Sequence, residues 1–324
     1  MMAAVDVDRS ALDWLLAGDP SVAWQAQRDL AGDDRWRATR ALVGSQGWGR
    51  RMLELQDPEG TWAGGLYTPK WTSTTYTLLQ LRRLGLEPSN AQAIAGVRRL
   101  LDDARWVDGG VSYWVSHRYA ERCVNGMVLS LACYFDVEDP RLDGLAHVLI
   151  DGRVEDGGWN CEDYRGHTRH SSFNTTISVL EALHLWRLRT GSREADEAIA
   201  AGQEVLLEHR LYRSHRTGEV IDEAWTRFAF PPRWHYDILR GLDHFREAQV
   251  PPDPRAAEAI EVVRRRRRPD GRWPIGPRHS GVEHFRMETG RNAGRWNTLR
   301  ALRVLRWWEG GQARRKGFST RTPP

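Results

Sequence analysis

The chain has 324 residues, 40% of them hydrophobic, enough to bury a sizeable core in one large domain or two small ones. Its 47 basic and 43 acidic side chains leave a net charge of +4 spread along the chain, which speaks against a nucleic-acid-binding protein. A mean hydropathy of −0.60 and the lack of any long apolar run exclude a membrane-spanning helix, and Asp6, Asp8 and Asp19 break any secretion signal, so the cytoplasm is the expected compartment. Three cysteines, Cys123, Cys133 and Cys161, are too few and odd in number for a disulfide framework.

In chain order, the first clear signal is Asp19-Pro20, an aspartate able to cap a helix followed by a proline suited to its first turn. It returns at Asp139-Pro140 and Asp253-Pro254, and each copy is expected to open an outer, amphipathic helix. The second signal is Gln56-Asp-Pro-Glu-Gly60-Thr-Trp62, which recurs as Arg105 to Val111, Arg153 to Trp159 and Arg267 to Trp273, with a weaker copy ending at Gly218 and Val220. The spacing is roughly fifty to sixty residues, the signature of a tandem repeat. Periodic stretches such as 91–101 and 256–266 precede the motif, and the glycine is expected to end those helices through positive φ, with the tryptophan covering the helix end.

After each motif comes a loop and then a more apolar helix, expected over 76–82, 126–132, 177–183, 236–242 and 296–302. Alternating amphipathic and apolar helices at this period make either an open solenoid or a closed double ring. Loops of unequal length and chemistry favour closure around one cavity mouth. The expected fold is therefore all-α, an α/α toroid of about five helix-hairpin repeats, spanning residues 1–310, with 311–324 as a basic, disordered tail. The run Arg264 to Arg268 reads as the solvated end of a helix, with peripheral contact to an anionic membrane surface as the other reading.

Gln56-x-x-x-Gly60-x-Trp62 matches the repeat motif of squalene and oxidosqualene cyclases, and Glu155-Asp-Gly-Gly-Trp-Asn160 resembles the same element in the wider prenyltransferase repeat superfamily. The likeness covers roughly residues 40–310 and is to a single-domain member. It implies a toroid with its active site at the starts of the inner helices, and a hydrophobic or isoprenoid-like substrate. The chain departs from the family in lacking both Asp-x-Asp-Asp and Asp-Asp-x-x-Asp, the acid and magnesium-binding motifs of the two cyclase classes. Protein prenyltransferases bind zinc through Asp-x-Cys and His. Only partial echoes stand here, at Glu121-Arg-Cys123 and Trp234-His-Tyr-Asp237.

If the ring closes, the polar residues at the inner-helix starts converge, Thr72, Ser73, Thr75, Glu121, Asn125, Ser171 and Thr176 among them, under a loop running from Cys161 to His167. Asp237, His235, Cys123 and Cys161 are the residues expected to carry chemistry, with Asp237 read either as a buried acid or as a structural partner of a neighbouring cation. Trp71, Trp114, Asn174, Arg233, Trp234, Arg295, Trp296 and Asn297 are expected to line the pocket, the indoles serving either a hydrocarbon ligand or packing. Cys123, Cys161, His170 and His235 form a soft N/S set that suits zinc if they meet; otherwise the cysteines are small buried hydrophobes. Two functions follow: a cyclase- or prenyltransferase-like enzyme on a hydrophobic substrate, or a non-catalytic hydrophobic-ligand or protein-binding toroid. A glycan-active toroid would require paired carboxylates, for which Asp237 and Glu121 offer a thin basis.

Overall fold

The computed structural model describes residues 8–114, 116, 118–162, 168–290 and 292–319, with side chains described as far as residue 312. Among these the regular structure is mostly helical, with long connecting loops. In order come α1 (Arg9–Leu16), α2 (Pro20–Ala26), α3 (Trp36–Ala41), α4 (Gly47–Leu53), α5 (Thr74–Leu84) and α6 (Ala91–Asp102). A small antiparallel hairpin follows, β1 (Arg105–Val107) and β2 (Gly110–Ser112), then α7 (Arg122–Tyr134), α8 (Leu142–Asp151), α9 (Phe173–Thr190), α10 (Arg193–Glu208), α11 (Ile238–Glu247), α12 (Ala257–Arg265) and α13 (Arg295–Ser319). None of the helices is long and apolar enough to cross a membrane.

The five apolar helices expected after the motifs are α5, α7, α9, α11 and α13. Each packs on the next in chain order, α13 packs on α2, α2 on α4, and α4 on α5. The amphipathic helices lie against this series, α6 on α5 and α7, α8 on α7 and α9, and α10 on α9. A continuous core fills the space between the two sets.

The motif works differently from the sequence expectation in one respect. The glycines do take positive φ, at Gly60 (86°), Gly109 (81°), Gly157 (94°), Gly218 (75°) and Gly271 (77°). The preceding helices, however, end several residues earlier, at Leu53, Asp102, Asp151, Glu208 and Arg265. Each glycine instead closes a tight turn of its own: Gly60, Gly157 and Gly271 donate their N–H to the carbonyl three residues back. In the second repeat the turn Asp108-Gly109, with both φ positive, joins β1 to β2 as a two-residue hairpin.

In the copies opened by Gln56 and Arg267 the first residue of the motif grips the turn from within, and Arg213 does the same for the weaker copy from one position before it, whereas Arg153 donates to the Ile150 carbonyl. Gln56 Nε2 donates to the Gly60 carbonyl at 2.9 Å, Arg213 Nη1 to that of Gly218 at 2.8 Å and Arg267 Nε to that of Gly271 at 3.2 Å. The tryptophan covers the helix end, as expected. Trp62, Trp159 and Trp273 are fully buried, and their indole N–H groups donate to the carbonyls of Met52, Leu149 and Val263, each ten residues back in or beside the last turn of the preceding helix. The Met52 and Val263 carbonyls also accept from the N–H groups of Leu55 and Arg266, so there the indole shares its acceptor with the backbone while burying apolar area over the helix end. Gly96 of α6 and Gly202 of α10 make room for it: a Cβ at Gly202 would lie 2.5 Å from Trp159.

Three expectations change. Asp139 and Asp253 do cap the approaches to α8 and α12, but Asp19-Pro20 opens α2, whose residues 21–26 are all buried and which packs on α13 and α4. Helix α11 begins at Ile238 rather than 236, because Asp237 is its cap. The boundary expected at 310 is not a helix end, since the backbone of α13 continues to Ser319; Ala313, Arg314, Arg315 and Lys316 are strong helix formers that extend it.

Candidate functional site

Most polar residues at the inner-helix starts hold the loops that precede them. Backbone N–H groups of Trp62, Val111, Trp159 and Trp273 donate to Thr74 Oγ1 (3.1 Å), Asn125 Oδ1 (2.7 Å), Thr176 Oγ1 (3.1 Å) and Thr298 Oγ1 (3.0 Å). A buried N–H left without an acceptor is costly, so these side chains are needed whether or not a ligand binds. Asp237 serves the same purpose. Its Oδ2 accepts from the Ala229 N–H at 3.1 Å, its Oδ1 caps α11 through the Arg240 N–H at 2.7 Å, and Arg300 lies 3.4 Å away. These contacts are those of a structural partner, with Arg300 as the neighbouring cation.

Asn174 and Asn297 are likewise structural. Asn174 Oδ1 accepts from the Tyr236 N–H, and Asn297 Nδ2 donates to the carbonyls of Phe228 and Pro274. Arg295 lies over Trp14 and donates to its carbonyl, away from the other expected pocket residues.

The remaining residues form an aromatic cluster. Trp71 stands edge-on to Tyr76 at 4.8 Å, Tyr76 donates its hydroxyl to that of Tyr67 at 2.9 Å, and Tyr67 meets Trp114 edge-on at 5.7 Å. His235 is sandwiched between Trp234 and His279, both at 3.8 Å. Burial, then the neighbouring His279, Arg240 and Lys70, pulls its pKa down to about 4, so the ring is neutral at physiological pH. Arg233 takes φ +57° and is buried between Gln80 (2.9 Å) and Glu283 (3.2 Å). The indole N–H of Trp234 and Nε2 of His279 are buried without a hydrogen-bond partner among the described residues. Lys70, Tyr67, His279 and Glu283 were not legible in the repeat, because all four sit in loops whose path it does not specify.

The four-residue zinc set does not assemble. Among the described residues, no group of three or more His, Cys, Asp and Glu is placed to hold a metal ion. His170 is exposed, engaged through its carbonyl by Asn160, while His235 lies in its aromatic stack. Two members do meet: Cys161 Sγ accepts from the Cys123 N–H at 3.3 Å and from Thr175 Oγ1 at 3.4 Å. The 163–167 part of the overlying loop lies outside the described residues.

A cavity of about 220 Å³ lies deeper along the same helices. Helices α2, α3, α5, α7, α9, α11 and α13 all contribute to its wall, and Trp296, stacked on Phe230 at 4.1 Å, is the one expected pocket residue that reaches it. Eight arginines line it (Arg28, Arg40, Arg82, Arg83, Arg240, Arg246, Arg300 and Arg303) against three carboxylates, Glu181, Asp243 and Glu247. Asp29, Asp237 and Glu87 pair with Arg28, Arg300 and Arg40 from behind the wall, and guanidinium groups still outnumber carboxylates. Glu181 is the hub, 2.8 Å from Arg240, 3.1 Å from Arg83 and 3.8 Å from Arg82. Burial alone would push its carboxyl up, but Arg240, Arg83 and Arg82 together hold it well below the usual carboxylate range. The rule applied to Asp237, that a charge inside an apolar helix must have a purpose, also points to Glu181, Arg240 and Arg300.

The cavity gives the protein a pH dependence. Burial, then the adjacent His184, pulls His244 from 6.5 to about 4. Between those values an unfolded chain binds the proton and the folded one does not, so stability is full above 6.5 and falls as the pH drops. The expected slope is about 1.4 kcal/mol per pH unit from this group. Urea unfolding at several pH values in that window checks it, and His244→Gln should flatten the slope. Asp243, kept ionised against burial by Arg303 and Arg246, adds a further loss only at more acidic pH.

No family model and no curated protein matches the chain. Among solved structures, it is similar to one described as the crystal structure of a protein from Actinoplanes, at 15% identity and a TM-score of 0.47, covering 94% of this chain and 98% of that one.

Proposed function

We propose that the chain is an α/α toroid of the terpenoid-cyclase and prenyltransferase architecture whose central hollow binds a compact polyanion of the phosphate or diphosphate class. The toroid is supported by the repeated turn-and-tryptophan unit and by the series of inner-helix contacts that leads from α5 round to α13, α2 and α4. The observation that carries the ligand class is the arginine excess in the cavity. Like charges in a partly buried space repel and lose hydration, and a bound anion offsets both costs while accepting hydrogen bonds from planar guanidinium forks.

Titration calorimetry with inorganic pyrophosphate at low ionic strength tests this. Binding is expected to weaken as salt is raised. Arg28→Gln and Arg40→Gln, at the cavity's more accessible side, should each weaken it about tenfold. No heat at millimolar pyrophosphate, or equal affinity in both variants, overturns the reading.

A second reading rests on the aromatic cluster: a hydrophobic or isoprenoid-like ligand, turned over by an enzyme or merely carried, with its apolar part against Trp71, Tyr67 and Trp114. An alkyl diphosphate that binds more tightly than pyrophosphate, with the gain lost in Trp71→Ala, favours it; equal affinities for the two count against it.

A further inference from the structure

The contact between Cys123 and Cys161 joins two elements 38 residues apart, the first turn of α7 and the loop before α9. We propose that these cysteines are a redox-active dithiol in which Cys161 is the attacking thiolate and Cys123 the resolving thiol, with a hydroperoxide as the oxidant.

Two donors converge on the Cys161 sulfur. The Cys123 N–H belongs to the first turn of a 13-residue helix, where backbone N–H groups have no intrahelical acceptor and the helix dipole favours negative charge. The Thr175 hydroxyl supplies the other, from the buried first turn of α9. Donors aimed at sulfur favour the thiolate, the form that reacts. The neighbouring Cys123 thiol, ahead of the opposing effect of burial, also lowers the Cys161 pKa, and the same interaction together with burial raises that of Cys123. Of the pair, Cys161 therefore gives up its proton more readily and Cys123 less so, the bias an attacking and a resolving sulfur need. Both side chains, like that of Cys133, are partly accessible. Cys133 gives an internal contrast: it lies ten residues further along α7, where burial pushes its thiol up to about 12.

The chemistry balances in two steps. The Cys161 thiolate attacks the distal oxygen of the peroxide, the O–O bond breaks, and the leaving oxygen departs as hydroxide or alkoxide, giving a sulfenic acid. The Cys123 sulfur then attacks Cys161, the S–O bond breaks, and the Cys123 proton leaves with the hydroxyl as water. The sulfur pair has given up two electrons and the peroxide has been reduced.

The test uses the full chain with stoichiometric hydrogen peroxide, followed by intact mass and peptide mapping. The expected product has lost the mass of two hydrogen atoms and contains a Cys123–Cys161 cross-linked peptide. In Cys123→Ser the reaction should stop at a sulfenic acid on Cys161, trapped by dimedone. In Cys161→Ser, Cys123 should be unreactive, while Cys133→Ser should behave as the parent. With iodoacetamide near neutral pH, Cys161 should label at least about tenfold faster than Cys133. Equal labelling of Cys161 and Cys133, or no cross-link in the parent together with no dimedone adduct in Cys123→Ser, overturns the proposal. Far-UV circular dichroism of each variant separates these outcomes from misfolding.

Discussion

Glu181→Gln is expected to lower the unfolding free energy by about 3–5 kcal/mol, among the largest effects of any single polar substitution in this protein. The change preserves the shape of the side chain and removes only its charge. Arg240, Arg83 and Arg82 are then left facing one another with their common counter-ion gone, in a place where water cannot fully replace it. Urea denaturation checks the number. Glu54→Gln provides the control: its partner Arg50 lies in solvent, with side chains 55% and 61% exposed, and its loss should cost under about 1 kcal/mol. If the two variants lose similar amounts, the carboxylate is not the hub described. The same substitution makes the hollow more positive, so pyrophosphate should bind Glu181→Gln more tightly than the parent and restore part of its lost stability as ligand is added. A destabilised variant that gains no affinity would leave the hub intact and count against the anion site.

Trp159→Ala is expected to cost about 3–5 kcal/mol. The indole is fully buried and spans the gap between α8 and α10, where Gly202 gives it room. Truncation leaves a cavity that a close-packed core cannot collapse into, and it strips the Leu149 carbonyl of its 2.6 Å donor. Trp159→Phe should recover much of the packing but not the hydrogen bond, and so fall between. Trp62 and Trp273 make the same contact in their own repeats, and their alanine variants should lose comparable amounts. Thermal and urea unfolding report all three. A loss under about 1 kcal/mol at any of them would mean that the motif is a sequence echo and not a structural unit.

How much of this was legible depends on the distance over which each interaction acts. The five apolar helices could be placed from apolar periodicity, and the glycine turns from a single residue type, because φ preference and burial pattern are local properties. The grip of Gln56 on the Gly60 carbonyl spans four residues and is written in the motif itself. Helix boundaries were less secure: the turn residues sit six or seven positions beyond the last helical residue in several repeats, so the glycine marked the turn and not the helix end.

The site was much less legible. Asp237 looked like a buried acid because its partners, Ala229 and Arg300, lie 8 and 63 residues away, and a sequence does not show which N–H a carboxylate will meet. The zinc set failed for the same reason. Four ligands of suitable type are spread across three repeats, but the fold turns His170 outward and stacks His235 between rings. Only the Cys123–Cys161 contact survived.

The sequence by itself determined the repeating unit: a capped amphipathic helix, a glycine turn, an indole over the helix end and an apolar helix, each set by interactions over ten residues or so. The tertiary structure decided what the polar residues are for. Which guanidinium groups share Glu181, which carboxylate meets Arg300 and which two cysteines meet all depend on groups brought together from positions 38 or more residues apart, so the chemistry of the cavity exists only once the helices are in place.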